Sequence, residues 1–182
     1  MTQRQLLLGL MFLGGSLAFA PPGEAQRSGF IIGFGLGPGL TSFSSAPDRE
    51  SQIGWAMDFH IGGVIGDSFE LYFVTKAVFF QSDLGGVDQI ASGVGGLGFS
   101  YPLNPKFSIS GGIGLDQWME FYSNGGSDSI ADGVGLWAGG RYLLSESERW
   151  ALGFDIMYGK PFGNDVDFNA LGVQFTINVL SH

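Results

Sequence analysis

The chain has 182 residues, with eight Lys and Arg against 17 Asp and Glu and a formal net charge of −9; no basic patch exists to neutralise phosphates, which argues against a nucleic-acid partner. It contains no cysteine, which removes disulfide frameworks, thiolate metal sites and thiol nucleophiles. Glycine, at 32 residues, is more than double the usual share of about 7%, yet it follows no collagen period and falls on alternate positions of the segments below, so its role is architectural.

Arg4 precedes an apolar run from Leu6 to Leu13 that leads into small residues, the pattern of a secretory leader. The run is too short for a spanning helix, which needs about 20 residues. Ala18-Phe19-Ala20 and Gly23-Glu24-Ala25 both fit the small-x-small cleavage rule, and Pro21 disfavours the first. Residues 1–25 are therefore predicted to be a signal peptide, and 26–182 a single domain. No later stretch is continuously apolar over the length of a spanning helix, so any membrane crossing must be made by strands.

Phe30 begins a strict alternation: Phe30, Ile32, Phe34, Leu36, Pro38 and Leu40 on one parity, Ile31, Gly33, Gly35, Gly37, Gly39 and Thr41 on the other. A period of two is a strand. Ile53, Trp55, Met57, Phe59 and Ile61 repeat it against Gly54, Ala56, Asp58, His60 and Gly62, as do Trp150, Leu152, Phe154, Ile156 and Tyr158 against Ala151, Gly153, Asp155, Met157 and Gly159. Eight strands are predicted in order: 29–43, 52–65, 69–80, 90–101, 107–121, 130–144, 150–159 and 168–180. Strand 4 changes phase, with Ile90 and Val94 on one parity and Leu97, Phe99 and Tyr101 on the other; a bulge near Gly95-Gly96 would restore a common face. The connections at 66–68, 102–106 and 145–148 are short and carry turn chemistry, whereas those at 44–51, 81–89, 122–129 and 160–167 are longer.

Volume decides which face looks inward. With the heavy face inside, some 30–40 large side chains would crowd a lumen that ordinary residues only just fill in an eight-stranded barrel. With the heavy face outside, Phe34, Trp55, Phe59, Phe73, Trp150, Phe154 and Phe175 meet acyl chains, while glycine and a few polar groups share a narrow interior. Two aromatic belts follow, one with Phe30, Phe69, Tyr101, Phe107, Tyr142 and Trp150, the other with Phe43, Trp55, Phe79, Phe121, Tyr158 and Phe168. The expected fold is an all-β, antiparallel, up-and-down eight-stranded transmembrane barrel with both termini in the periplasm.

The same phase places Asp58, His60, Glu70, Tyr72, Lys76, Asp116, Trp137, Arg141, Asp155, Gln174 and Asn178 in the lumen. A hairpin centred on Asp67 sets Asp58 opposite Lys76, and Glu70 and Arg141 fall at one level, where they can pair across the interior. A self-satisfied polar core is favoured over an ion or proton path, because each unpaired charge costs several kcal/mol. His60 has no serine at a spacing that builds a triad, although Ser92, Ser100, Ser108 and Ser110 could approach it in space; no enzyme activity is expected. The loop carboxylates Asp48, Glu50, Asp83, Asp88, Asp128, Asp165 and Asp167 could hold divalent cations that bridge to lipopolysaccharide, but no EF-hand spacing supports a defined site. Gly93-x-Gly95-x-x-Gly98 formally matches a dinucleotide fingerprint without a following helix, and is strand glycine. No cofactor is implied.

With the pattern from Phe30 to Leu180, the segment Gly93-Val94-Gly95-Gly96-Leu97-Gly98-Phe99-Ser100-Tyr101-Pro102-Leu103-Asn104-Pro105-Lys106 and the alternating last strand, the chain resembles the small eight-stranded outer-membrane barrels of Gram-negative bacteria, in the manner of OmpX and the OmpA membrane domain. The resemblance implies a cell outer membrane location, with lipid, lipopolysaccharide and the assembly machinery as partners. Such barrels usually end on an aromatic residue, whereas this chain runs Asn178-Val179-Leu180-Ser181-His182. The leading expectation is a structural or surface-interaction role around a closed lumen; the alternatives are a narrow channel for small or apolar solutes and a soluble lipocalin-like lipid carrier with inverted faces.

Overall fold

In a computed structural model, which describes residues 29–45, 48–65, 69–82, 86–144, 150–162 and 168–181, eight strands follow one another: β1 (Phe30–Ser45), β2 (Asp48–Ile65), β3 (Phe69–Gln81), β4 (Val87–Asn104), β5 (Phe107–Tyr122), β6 (Ser127–Leu143), β7 (Trp150–Pro161) and β8 (Phe168–Ser181). Each pairs antiparallel with its sequence neighbours, and β1 closes the barrel on β8. Closure leaves no strand edge to aggregate or to solvate in lipid. The predicted leader lies outside the described residues. No described helix is long and apolar enough to cross a membrane, which does not bear on strands.

Alternation converts directly into two surfaces. Along β7, Ala151, Gly153, Asp155, Met157 and Gly159 are buried while Leu152, Phe154, Ile156 and Tyr158 are exposed on the outer wall. Phe34, Trp55, Phe73, Trp150, Phe154 and Phe175 all stand on the exposed outer wall, and Phe59, on the same parity, is half-buried by its neighbours. Trp55 stacks on Phe79 at 4.1 Å, and Phe79 meets Phe121 at 6.3 Å across the intervening β4, so part of one aromatic belt is continuous. At the other end Phe69 stacks on Phe99 at 6.1 Å. The side chains of Phe43 and Phe168 lie outside the described residues.

Two expectations need correction. The first is the bulge near Gly95-Gly96: the β3–β4 and β4–β5 registers run unbroken through these residues, and the irregularities of β4 sit at its ends, Val87/Gln89 and Pro102/Asn104. Val94 faces the lumen, as do Ser92, Gly98 and Ser100, and Ile90 packs on the interior cluster. The outer wall at this level is instead thin, made of Ala91, Gly93 and Gly95 beneath the taller Phe79 and Phe121. The sequence pattern assumed that every branched residue seeks lipid; here the interior takes Ile90 and Val94.

The second is the set of longer loops. The β1–β2 link shrinks to 46–47 because Ser42 pairs with Ser51 and Ser45 with Asp48, and the β5–β6 link shrinks to 123–126. Polar residues continue the ladder past the apolar alternation, since backbone pairing does not require an oily face. The latter hairpin turns on Gly125, whose φ of 82° is left-handed, with Gly126 N–H donating to Asn124 Oδ1 at 2.9 Å. We call the end with the β1–β2, β3–β4, β5–β6 and β7–β8 links the hairpin end, and the opposite one the terminal end.

Candidate functional site

The lumen is divided along its length. Toward the hairpin end it is largely apolar, with Ala56, Val78, Phe80, Val94, Trp118, Met157 and Ala170 buried in one cluster. Phe80 meets Trp118 edge-on at 6.1 Å. Toward the terminal end it is polar and charged, and these groups order one another.

Lys76 is the centre of that half. The β2–β3 register sets it opposite Asp58, and its Nζ donates to Asp58 Oδ2 at 2.7 Å and to Asp155 Oδ2 at 2.8 Å. The same ammonium lies 4.7 Å from the Trp137 ring centroid, where a desolvated cation is attracted by the ring face. Gln174 Nε2 donates to Asp155 Oδ2 at 3.1 Å. Asp155 arrives from β7 and Asp58 from β2, so one lysine ties opposite walls together.

His60 extends the network. Its Nδ1 faces Asp58 Oδ1 at 3.4 Å and its Nε2 faces Arg141 Nη2 at 3.5 Å, so both ring nitrogens are turned to charged groups and not to a serine. The Tyr72 ring lies 5.2 Å away, and the Tyr72 hydroxyl donates to Phe99 O at 3.0 Å. Gly33 on β1 makes room for the imidazole, because an added Cβ would collide with it. Arg141 Nη1 stands 3.5 Å from Glu70 Oε2, joining β6 and β3 near the terminal end. Asn178 Nδ2 donates to Thr176 Oγ1 at 2.9 Å.

All eleven residues placed inside by strand phase lie in the interior, ten of them buried and Glu70 half-buried. The structure brings Asp58, His60, Glu70, Lys76, Arg141 and Asp155 into one connected set. Asp116 stands apart, in the apolar half. Parity alone could not have shown that Asp155 is a second acceptor for Lys76, since the two are 79 positions apart and meet only through barrel closure.

At the hairpin rim, Ser123 Oγ donates to Asp88 Oδ1 at 2.7 Å, the Tyr122 hydroxyl to Glu120 Oε2 at 2.8 Å, and Ser129 Oγ to Asp132 Oδ1 at 3.2 Å. Among the described residues no group of three or more His, Asp or Glu converges as a metal site would. Asp83, Asp165 and Asp167, and the side chain of Asp48, lie outside the described residues.

Comparison with solved structures decides the architecture. The chain superposes on Ail, the attachment invasion locus protein of Yersinia pestis, with a TM-score of 0.59 at 11% identity, covering 85% of this chain and 99% of that one. Its fold is that of the small outer-membrane barrels. Neisserial surface protein A gives a TM-score of 0.56 at 16% identity, covering 84% of this chain and 97% of that one. Ail in complex with the heparin analogue sucrose octasulfate gives 0.56 at 11% identity, over 85% and 100%. No family model matches the sequence, and no curated protein matches it. At these identities the likeness is one of fold.

Proposed function

We propose that this chain is an integral outer-membrane barrel with a structural or surface-interaction role, its lumen sealed by the Lys76 network and the apolar plug above it, and both termini in the periplasm after removal of residues 1–25. One observation carries the reading: the wall is oily outside and the bore is charged and packed inside, the reverse of a water-soluble carrier. Trp55 and Trp150 are exposed on the wall while Trp118 and Trp137 are buried in the bore. In vesicles of brominated phospholipid, single-tryptophan variants keeping Trp55 or Trp150 should be strongly quenched, and those keeping Trp118 or Trp137 little. The opposite ranking would favour the carrier.

Sealing is supported by the pairing of Asp58, Asp155 and Glu70 with Lys76 and Arg141 and by Phe80, Trp118 and Met157 filling the bore above them. In a planar bilayer the protein is expected to be silent; stepwise currents would favour the channel reading. The sulfated-sugar ligand seen with Ail does not transfer readily to this rim, where Glu50, Asp88, Asp128 and Asp132 are exposed. An acidic rim repels polyanions and suits a cationic or neutral partner surface.

A further inference from the structure

The two ring nitrogens of His60 meet opposite charges, Nδ1 lying 3.4 Å from Asp58 Oδ1 and Nε2 lying 3.5 Å from Arg141 Nη2. A carboxylate only accepts and a guanidinium only donates, so this arrangement needs a neutral ring with its proton on Nδ1 and the bare Nε2 taking an Arg141 N–H. Arg141 on β6 is thereby tied to β2, which stands diametrically opposite in the eight-stranded ring. Among the described residues, Gly33 of β1 brings no side chain to the imidazole, and β3 brings the Tyr72 ring at 5.2 Å. Lys76, also of β3, is held on the other oxygen of Asp58 and carries Asp155 of β7 behind it.

The connected set is short of positive charge. It holds Asp58, Glu70 and Asp155 against the fixed cations Lys76 and Arg141, and a proton on His60 Nε2 would supply the third cation. That proton would put an N–H where Arg141 already donates, so the ring and the guanidinium cannot both keep their places. Arg141 has somewhere to go. Its Nη1 stands 3.5 Å from Glu70 Oε2, an oxygen that still accepts no hydrogen bond. Ser100, the register partner of Glu70 on β4, is 1% exposed and its Oγ is also without a partner. Two buried acceptors, one of them anionic, thus lie side by side next to the guanidinium. Solvent comes close at this end, where the side chains of Arg141 and Glu70 are 9% and 17% exposed.

We propose that His60 and Arg141 form a proton-driven latch at the terminal end of the bore. With His60 neutral, Arg141 bonds to it and ties β6 to β2. When Nε2 takes a proton from solvent, Arg141 transfers to Glu70 and Ser100, the tie across the diameter is released, and the imidazolium keeps its Nδ1–H on Asp58. Lys76 holds Asp58 and Asp155 in both states, so the hairpin half stays closed. Histidine suits the task because its ordinary titration falls between about pH 5 and pH 8, and two alternative partners for one guanidinium make the element bistable. The latch is a property of the bore and does not depend on what the outer wall faces.

The whole barrel, carrying nitrogen-15 histidine and arginine in dodecylphosphocholine micelles, is taken from about pH 8 to about pH 5. His182→Gln, which leaves His60 as the only histidine, and Arg141→Lys identify the two signals. At the alkaline end His60 should show one protonated and one bare ring nitrogen. On acidification Nε2 should gain its proton and the Arg141 Nε signal should shift with the same midpoint. The Arg141 shift should be lost in His60→Gln, whereas Glu70→Gln should keep the His60 titration and reduce the Arg141 shift. A full Arg141 shift in His60→Gln would assign it to the carboxylates and overturn the latch. So would a His60 titration that leaves Arg141 unmoved, or a ring that does not titrate in this range. If His60→Gln fails to fold, the wild type decides: separate midpoints for His60 and Arg141 overturn the proposal.

Discussion

Lys76→Met is expected to be among the most damaging single substitutions in the barrel. The side chain is 3% exposed and its ammonium is held by two carboxylates from opposite walls. Methionine keeps most of the volume but leaves Asp58 and Asp155 as neighbouring buried anions, and removing one partner of a buried ion pair typically costs about 3–5 kcal/mol. The loss should appear as a lowered urea midpoint for the protein refolded into lipid vesicles. Adding Asp58→Asn and Asp155→Asn removes the stranded charges, and the triple variant should recover much of the loss, since a buried ionic cluster replaced as a unit is often nearly neutral. An unchanged midpoint in Lys76→Met would mean that water reaches these carboxylates, and the sealed-bore reading would give way to a channel.

Phe175→Arg tests the other face. Phe175 is 56% exposed on the wall of β8 and sits against Phe154, with ring centroids 4.9 Å apart. A guanidinium at the lipid face near the bilayer midplane costs roughly 2–4 kcal/mol, so the variant should insert poorly into vesicles and unfold at lower urea. In a water-soluble protein the same exposed position would tolerate arginine to within about 0.5 kcal/mol. Near-normal behaviour of Phe175→Arg in vesicles would therefore remove lipid from the outer wall.

Most of the architecture was legible because a barrel wall is a repeating object. Strand phase alone separates Phe154 from Asp155 and Trp55 from Asp58, and a turn centred on Asp67 fixes Asp58 opposite Lys76 without knowledge of any other strand. What escaped reading depends on closure or on mixed chemistry. The joining of Lys76 to Asp155 needs the barrel's diameter and the order of its strands. Ile90 and Val94 read as lipid-facing because an outer-membrane bore is usually polar, whereas this one is apolar toward the hairpin end. The extension of β2 back to Asp48 was hidden because Asp48, Arg49, Glu50 and Ser51 carry no alternation, although their backbone still completes a ladder with Ser42 to Ser45.

The pairing of β1 with β8 has a kinetic consequence. The two strands that complete the ring stand at opposite ends of the domain, Phe34 against Val179 and Leu40 against Val173, so the final joint waits for the most distant contact in the chain. Folding dominated by non-local pairings is slow, and until that joint forms the first and last strands offer bare edges on which a nascent barrel can stick to its neighbours. The pairing also skips Gly37 and Pro38, where proline has no N–H to contribute, leaving the closing joint with fewer rungs than an unbroken ladder. Closing that joint, more than the stability of the finished ring, is then expected to be the slow step of folding.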